Sequence, residues 1–202
     1  MKEQEDSLRG KKMSDEELAV EAQAGSRRCF EELVHRYTHR LYYFLRPKLS
    51  SRQDTEDLVQ ETFLKTYRNI GRFDSTYKFS TWLYTAATRL LISFYRKTQV
   101  SDPDCGLSTS APDPQDQAIE AEKVSELWKS ARALHPHHFQ VLWLRYQEDL
   151  PLKEIARVMK KSQIHIRVLL HRARSNLIKQ LNPAVPSPEV EKRPAKANIV
   201  LL

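Results

Sequence analysis

Residues 151–181, PLKEIARVMKKSQIHIRVLLHRARSNLIKQL, hold two helical patterns separated only by Lys160-Lys161-Ser162, and a gap of that length is the turn of a helix-turn-helix. In the second pattern Ile166, Leu170, Ala173, Leu177 and Leu181 recur at 3.6-residue spacing and form one stripe toward a core. At about 100° per residue the opposite face carries Val168, His171, Arg172, Ser175 and Lys179, flanked by Arg167 and Arg174. Ser162 stands where an N-cap belongs. A basic outer face behind a short turn suits a helix lying in a major groove, with Arg reading guanine edges or gripping phosphates. A generic helical hairpin has the same periodicity, so the pattern leaves both readings open.

Working outward, two more helices precede this pair, over residues 117–134 and 136–147. Upstream of them, residues 98–117 are rich in Ser, Pro and Asp, and 101–121 hold five acids with no Lys or Arg, the composition of a flexible acidic linker. Residues 122–182 carry 12 basic and five acidic side chains, the electrostatic footprint of a nucleic-acid module, although a solvated basic surface would look alike. The tail from Pro183 contains four prolines and is expected to stay disordered.

The N-terminal half reads as four helices. The first covers residues 15–24, with Ser14 and Glu17 at capping-box spacing and Gly25 as its end. The second carries Phe30, Leu33, Val34, Tyr37, Leu41, Phe44 and Leu45 on one face and stops at Pro47. The third starts near Asp54 and carries Leu58, Val59, Phe63, Tyr67 and Ile70, while Asp57, Gln60, Glu61 and Lys65 lie on its polar face. After a turn at 71–75, the fourth, residues 80–97, is apolar almost all round, so it is buried on several sides or turns aromatics toward a partner. Just before it, Phe73-Asp-Ser-Thr-Tyr-Lys-Phe-Ser-Thr-Trp mixes aromatics with a cation, as single-stranded DNA binding requires; the alternative is that Phe73, Phe79 and Trp82 are core.

The whole is therefore all-α: two small helical domains, 14–97 and 118–182, joined by the linker 98–117 and followed by the tail 183–202. Two cysteines, Cys29 and Cys105, make no disulfide framework and point to a reducing compartment. No apolar run reaches transmembrane length and the N-terminus lacks a signal-peptide core, so a cytoplasmic protein is expected. His135, His137 and His138 lack the remaining ligands of a metal site, and no nucleophile–base pair or phosphate-cradling glycine loop occurs. No metal, cofactor or enzymatic activity is expected.

Taken together, these segments resemble the sigma-70 family, specifically its extracytoplasmic-function group. Residues 14–45 are similar to the start of the region 2 domain, and DTEDLVQETFLKTYRNIGRFD at 54–74 is similar to its polymerase-binding helix. Phe79-Ser-Thr-Trp-Leu-Tyr through Tyr95-Arg-Lys resembles the promoter-melting segment. ALHPHHFQVLWLRY at 133–146, then Leu152-Lys-Glu-Ile-Ala and His171-Arg-Ala-Arg, resemble region 4. The resemblance implies that Asp57, Gln60 and Glu61 face the clamp helices of core RNA polymerase. It implies that Phe73, Tyr77, Lys78, Phe79, Trp82, Arg89, Arg96 and Lys97 serve minus-ten capture and melting. It assigns Ser162, Gln163, His165, Arg167, Val168, His171, Arg172 and Arg174 to a helix that reads minus-thirty-five promoter DNA. An anti-sigma factor is an implied further partner.

Three departures from the family pattern stand out. Arg89 replaces a usual Asn, Ser93 a usual Asp, and His165-Ile-Arg-Val168 a Thr-Val-(Arg/Lys)-Ser pattern. Ile164 and Val168 bring apolar groups to the DNA-facing side, able to meet a thymine methyl but not to hydrogen-bond a base edge. They keep two alternatives alive: a sigma-like interaction protein, and a helix-turn-helix regulator with altered or lost promoter recognition.

Overall fold

In a computed structural model of the chain, residues 13–98 and 122–181 are described. The tail, the linker beyond Thr98 and the expected helix start near 117 lie outside the described residues. The N-terminal unit contains α1 (Asp15–Gln23), α2 (Arg27–Leu45), α3 (Arg52–Arg68) and α4 (Phe79–Thr98). The capping box closes α1: the Glu17 amide donates to Ser14 Oγ at 3.2 Å, and the Ser14 amide donates to Glu17 Oε2 at 2.8 Å. Gly25 takes φ +101° in the turn to α2, a conformation that a side chain would strain. Pro47 sits in a short 3₁₀ turn, Arg46–Lys48, that ends α2. The third helix starts before the expected Asp54, because Ser51 is the N-cap and accepts from the Asp54 amide.

These helices bury Leu33, Leu41, Phe44, Leu45, Leu83, Tyr84 and Ala87 together. The first helix acts as a clasp on the others. Asp15 accepts from Arg36 Nη1 at 2.7 Å and from the Tyr37 hydroxyl at 2.5 Å. Gln23 Nε2 donates to the carbonyls of Ile70 and Phe73 at 2.9 and 2.8 Å, which fixes the turn before α4. Glu16 Oε1 accepts from the Phe79 amide at 2.9 Å, so a carboxylate from α1 satisfies a donor at the start of α4.

The C-terminal unit contains α5 (Glu122–Arg132), α6 (Pro136–Leu142), α7 (Leu152–Met159) and α8 (Gln163–Leu181). The single helix expected over 136–147 is instead α6 followed by a π-helical turn, Trp143–Gln147. Phe139, Val141, Leu144, Leu150, Ile155 and Ile166 form its core, with the Trp128 and Trp143 rings 5.0 Å apart. Lys160 takes the left-handed conformation that ends α7, and Ser162 Oγ accepts from the His165 amide at 3.2 Å to start α8. The core stripe of α8 fades along its length: Ile166, Leu170 and Ala173 are buried, Leu177 is half-buried and Leu181 is exposed.

The two units pack on one another through α4 and α7. The side chain of Glu148 is fully buried between them. Its carboxylate accepts from Arg40 Nε and Nη2 at 3.0 and 2.6 Å and from the Tyr84 hydroxyl at 2.7 Å. Trp143 Nε1 donates in turn to the Tyr84 oxygen at 3.3 Å. Burial pushes the Glu148 carboxyl above the ordinary carboxylate range, against the opposing pull of Arg40 and Tyr84.

Lys48 is a further buried ionisable side chain. Its Nζ has no hydrogen-bond partner among the described residues and lies 3.5 Å from the centroid of the Phe44 ring. Burial drives its amine well below the ordinary lysine value. Between that lowered value and the ordinary lysine value the folded state binds fewer protons than the unfolded one, so stability rises with pH over that window. Lys48→Met is expected to stabilise the fold by about 1–3 kcal/mol, since an unpaired buried polar group is removed. Thermal melts over neutral to alkaline pH check this: the variant should melt higher near pH 7 and lose much of the alkaline gain.

Candidate nucleic-acid interface

One face of α3 is turned to solvent. Asp57, Gln60, Glu61 and Lys65 are exposed, while Thr55, Leu58, Val59, Thr62 and Phe63 are buried against α2 and α4. Thr55 and Thr62 Oγ1 donate back to the Ser51 and Leu58 carbonyls, whereas the hydroxyl of the buried Thr66 has no hydrogen-bond partner among the described residues. Gln53 Nε2 donates to Asp57 Oδ1 at 3.0 Å. Leu64, 56% exposed, lies on the same face. Its spacing of seven from Asp57 is the sequence signal for it. Tyr67, expected in the core, is half out of it, with its ring 4.8 Å from that of Phe30.

The segment before α4 divides into core and surface. Phe73 and Phe79 are only 6% and 0% exposed, so neither can stack on a base, contrary to their assignment as strand contacts. Their rings lie 5.9 Å apart, and Phe79 also meets Tyr37 at 5.5 Å. Trp82 is half-buried, with its ring 5.6 Å from Phe73 and 6.2 Å from Phe79, so the two buried rings hold its orientation. Tyr77 and Lys78 are half-buried, on a turn where Asp74 Oδ1 accepts from the Thr76 amide at 3.0 Å. That hydrogen bond holds the Asp74 carboxyl below the usual carboxylate range. Arg89, Arg96 and Lys97 are exposed along α4, beside the half-buried Ser93. The arrangement is a basic helix edge ending in a half-open aromatic platform, which suits an unpaired strand.

The α8 face is the most open. Ser162, Gln163, His165, Arg167, Val168, His171, Arg172 and Arg174 are all exposed. Ile164, 74% exposed, and Val168 stand four residues apart on one ridge among these polar groups. Ser162 is occupied as the N-cap through its Oγ. Arg174 Nε donates to the Tyr146 hydroxyl at 2.5 Å, so Tyr146, which the sequence reading passed over, orients one of the cations.

The remaining candidates carry no chemistry of this kind. The His135 ring lies 5.6 and 5.8 Å from those of His137 and His138. Among the described residues no group of three or more His, Cys, Asp or Glu is placed to hold a metal ion. Burial, then His135, His137 and Arg172, lower the His138 imidazole from its ordinary value. Cys29 is a half-buried free thiol packed against the core, and Cys105 lies outside the described residues. Among the described residues no helix is long and apolar enough to cross a membrane.

The sigma-70 region 2 family model matches residues 33–100, and the sigma-70, region 4 model matches residues 132–179. The chain is 31% identical over 173 residues to the ECF RNA polymerase sigma factor BldN of Streptomyces coelicolor, covering 82% of this chain and 65% of that protein. It is 29% identical over 173 residues to the ECF RNA polymerase sigma factor SigW of Bacillus subtilis, covering 78% and 91%. Among solved structures it is similar to CnrH in complex with the cytosolic domain of CnrY (TM-score 0.59, 21% identity, 85% of this chain and 99% of that one). It is also similar to the sigma factor RpoE in complex with the anti-sigma factor NepR from Bartonella quintana (TM-score 0.58, 20% identity, 75% and 96%). At those identities the solved structures speak to the fold, and the family models and relatives to the family. The chain belongs to the sigma-70 family, in its extracytoplasmic-function group of alternative sigma factors that direct transcription initiation.

Proposed function

We propose that this sigma factor works as a non-enzymatic subunit in the cytoplasm, with its contacts divided among three surfaces. Asp57, Gln60 and Glu61 on α3, joined by Leu64, bind the clamp helices of core RNA polymerase. The edge of α4, from Tyr77, Lys78 and Trp82 to Arg89, Arg96 and Lys97, takes the unpaired minus-ten strand. The α8 face, through Gln163, His165, Arg167, Val168, His171, Arg172 and Arg174, reads duplex DNA at minus thirty-five. Residues 14–97 and 118–182 are the two domains, 98–117 their linker and 183–202 a tail. An anti-sigma factor is a further partner, by extension from RpoE, which is complexed with one.

The observation that carries the reading is that one chain presents both an exposed polar face on α3 and an exposed basic α8. A repressor has use for the second face but none for the first, and neither the fold nor the relatives favours the alternatives. Run-off transcription with core polymerase, with and without this protein, on promoters from its own genome is the direct test. Transcripts that start at defined sites only when the protein is present are the expected result.

Each surface has its own test. Asp57→Lys, or Gln60→Ala with Glu61→Lys, should weaken capture of core polymerase while leaving helical content unchanged, since exposed charge reversal costs little stability. Equal capture by mutant and wild type would remove α3 from the contact. Trp82→Ala should lower permanganate reactivity of the melted region more than closed-complex binding, because stacking is worth roughly 1–3 kcal/mol per base. Phe79→Ala, by contrast, should destabilise the fold by about 3–5 kcal/mol and impair both steps alike.

For α8, Arg172→Ala should weaken duplex binding and reduce the salt slope by about one, as loss of one phosphate contact requires. Val168→Ser should alter base preference more than affinity, since no charge is lost. Titrations over several salt concentrations on a randomised duplex library read both. An unchanged slope for Arg172→Ala would mean that α8 does not dock through this face.

A further inference from the structure

Two bulky apolar side chains stand where the exposed face of α8 begins. Ile164 lies in the first turn of α8 and Val168 one turn further on, 74% and 46% exposed. The same i, i+4 row runs on to Arg172, and the adjacent row holds Gln163, Arg167 and His171, all of them exposed. The Ser162 cap, whose Oγ accepts from the His165 amide at 3.2 Å, orders the turn that carries Ile164. Isoleucine and valine are β-branched and strongly prefer one rotamer in a helix, so the ridge is rigid before anything meets it.

Neither side chain belongs to the core. Their surroundings indicate what covers them. Helix α8 contains Arg167, Arg172, Arg174 and Lys179, and no Asp or Glu. An apolar ridge set among cations is complementary to a polyanion that holds apolar groups between its charges. Duplex DNA has that form, because its phosphates border a major groove in which the thymine C5-methyl is the apolar feature.

We propose that Ile164 and Val168 are specificity-determining residues that read thymine methyls in the minus-thirty-five element. This rests on the reading of α8 as the helix that enters the duplex. The N-terminal residues of such a helix contact base edges, so the apolar half of the row meets bases while Arg172 meets a phosphate. Four residues advance a helix by about 6 Å, or roughly two base steps at about 3.4 Å each, so the two side chains meet methyls on A·T pairs one or two steps apart. Gln163, beside Ile164, suits an adenine of the same stretch, since a side-chain amide pairs with its N6 and N7. Discrimination has a second source. At a G·C pair the same two side chains would cover the cytosine N4 donor or the guanine O6 acceptor without offering it a partner, which weakens binding.

The test uses polymerase holoenzyme containing the full chain. A promoter of its own genome that supports run-off transcription is randomised across the minus-thirty-five segment, and tight binders are selected. The selected duplex is then remade with deoxyuridine for each thymine of that segment, which deletes only the methyls. Wild-type holoenzyme should enrich thymine at two positions no more than two steps apart. It should bind the uracil duplex about fourfold more weakly for each contacted methyl, or roughly 15-fold for both. Holoenzyme carrying Ile164→Ala with Val168→Ala should bind the thymine duplex about as weakly as wild type binds the uracil duplex, and should not distinguish the two. Alanine at exposed helical positions preserves the helix, and circular dichroism of the double variant verifies it.

Equal affinity of wild type for both duplexes would overturn the methyl reading, as would an undiminished thymine preference in the double variant. A double variant that binds both duplexes like wild type yet loses transcription would overturn it too, and would assign the ridge to a protein contact. Failure of the underlying reading has a separate signature: Arg172→Ala would then leave the salt slope unchanged, whereas failure of the methyl reading alone leaves that slope lowered.

Discussion

The burial of α4 is the constraint on which the rest of the molecule depends. A helix with Leu83, Tyr84, Ala87, Leu90 and Leu91 buried together with Phe79 and Thr81 cannot rest on one neighbour. It is covered by α3 on one side, by α1 at its start and by α7 of the other unit, with Phe44 of α2 meeting Tyr84 at 4.7 Å between ring centroids. Each fully buried large apolar side chain contributes about 1.5–3 kcal/mol, so α4 is the main reason why the helices assemble as they do. The same helix offers Trp82, Arg89, Arg96 and Lys97 at its open edge. Packing and the proposed strand contact are therefore two faces of a single element, and rigidity on one side positions the groups on the other.

Polar contacts then set the details that apolar burial leaves free. Gln23 fixes the turn at Ile70 and Phe73, and Glu16 caps α4, so a short first helix orders the segment that precedes the platform. In the C-terminal unit the left-handed Lys160 and the Ser162 cap fix how α8 leaves α7. The exposed ridge of Ile164 and Val168 among cations is a consequence of that exit direction. Tyr146 holds Arg174, while Arg167, Arg172 and Lys179 are further exposed cations of α8.

The aromatic run at 73–82 shows where a linear reading loses information. Phe73, Tyr77, Phe79 and Trp82 form one cluster by composition, and both core and strand-binding roles fit it. The structure separates them by depth: Phe73 and Phe79 are inside, Trp82 lies across them and Tyr77 lies outside under Arg157. The helical period does not decide this, because Phe73 lies in the turn before α4 and Phe79 is its first residue. Depth there depends on where α1 crosses, a contact 50 residues away in sequence from Gln23 to Phe73.

The sequence by itself determined the all-helical class, both helix-turn-helix helices, the capping box at Ser14, the exposed face of Asp57, Gln60 and Glu61, and the exposed basic face of α8. These are local properties, fixed by periodicity and capping within one or two turns. Only the tertiary structure decided that Phe73 and Phe79 are core, that the helix after Pro136 widens at Trp143, and that Lys48 is buried without a hydrogen-bond partner among the described residues. It alone joined Glu148 to Arg40 and Tyr84, across 108 and 64 residues of sequence. The physical reason is common to all of them: each depends on which surface another helix covers, and a buried charge has no periodic signature in the chain that carries it.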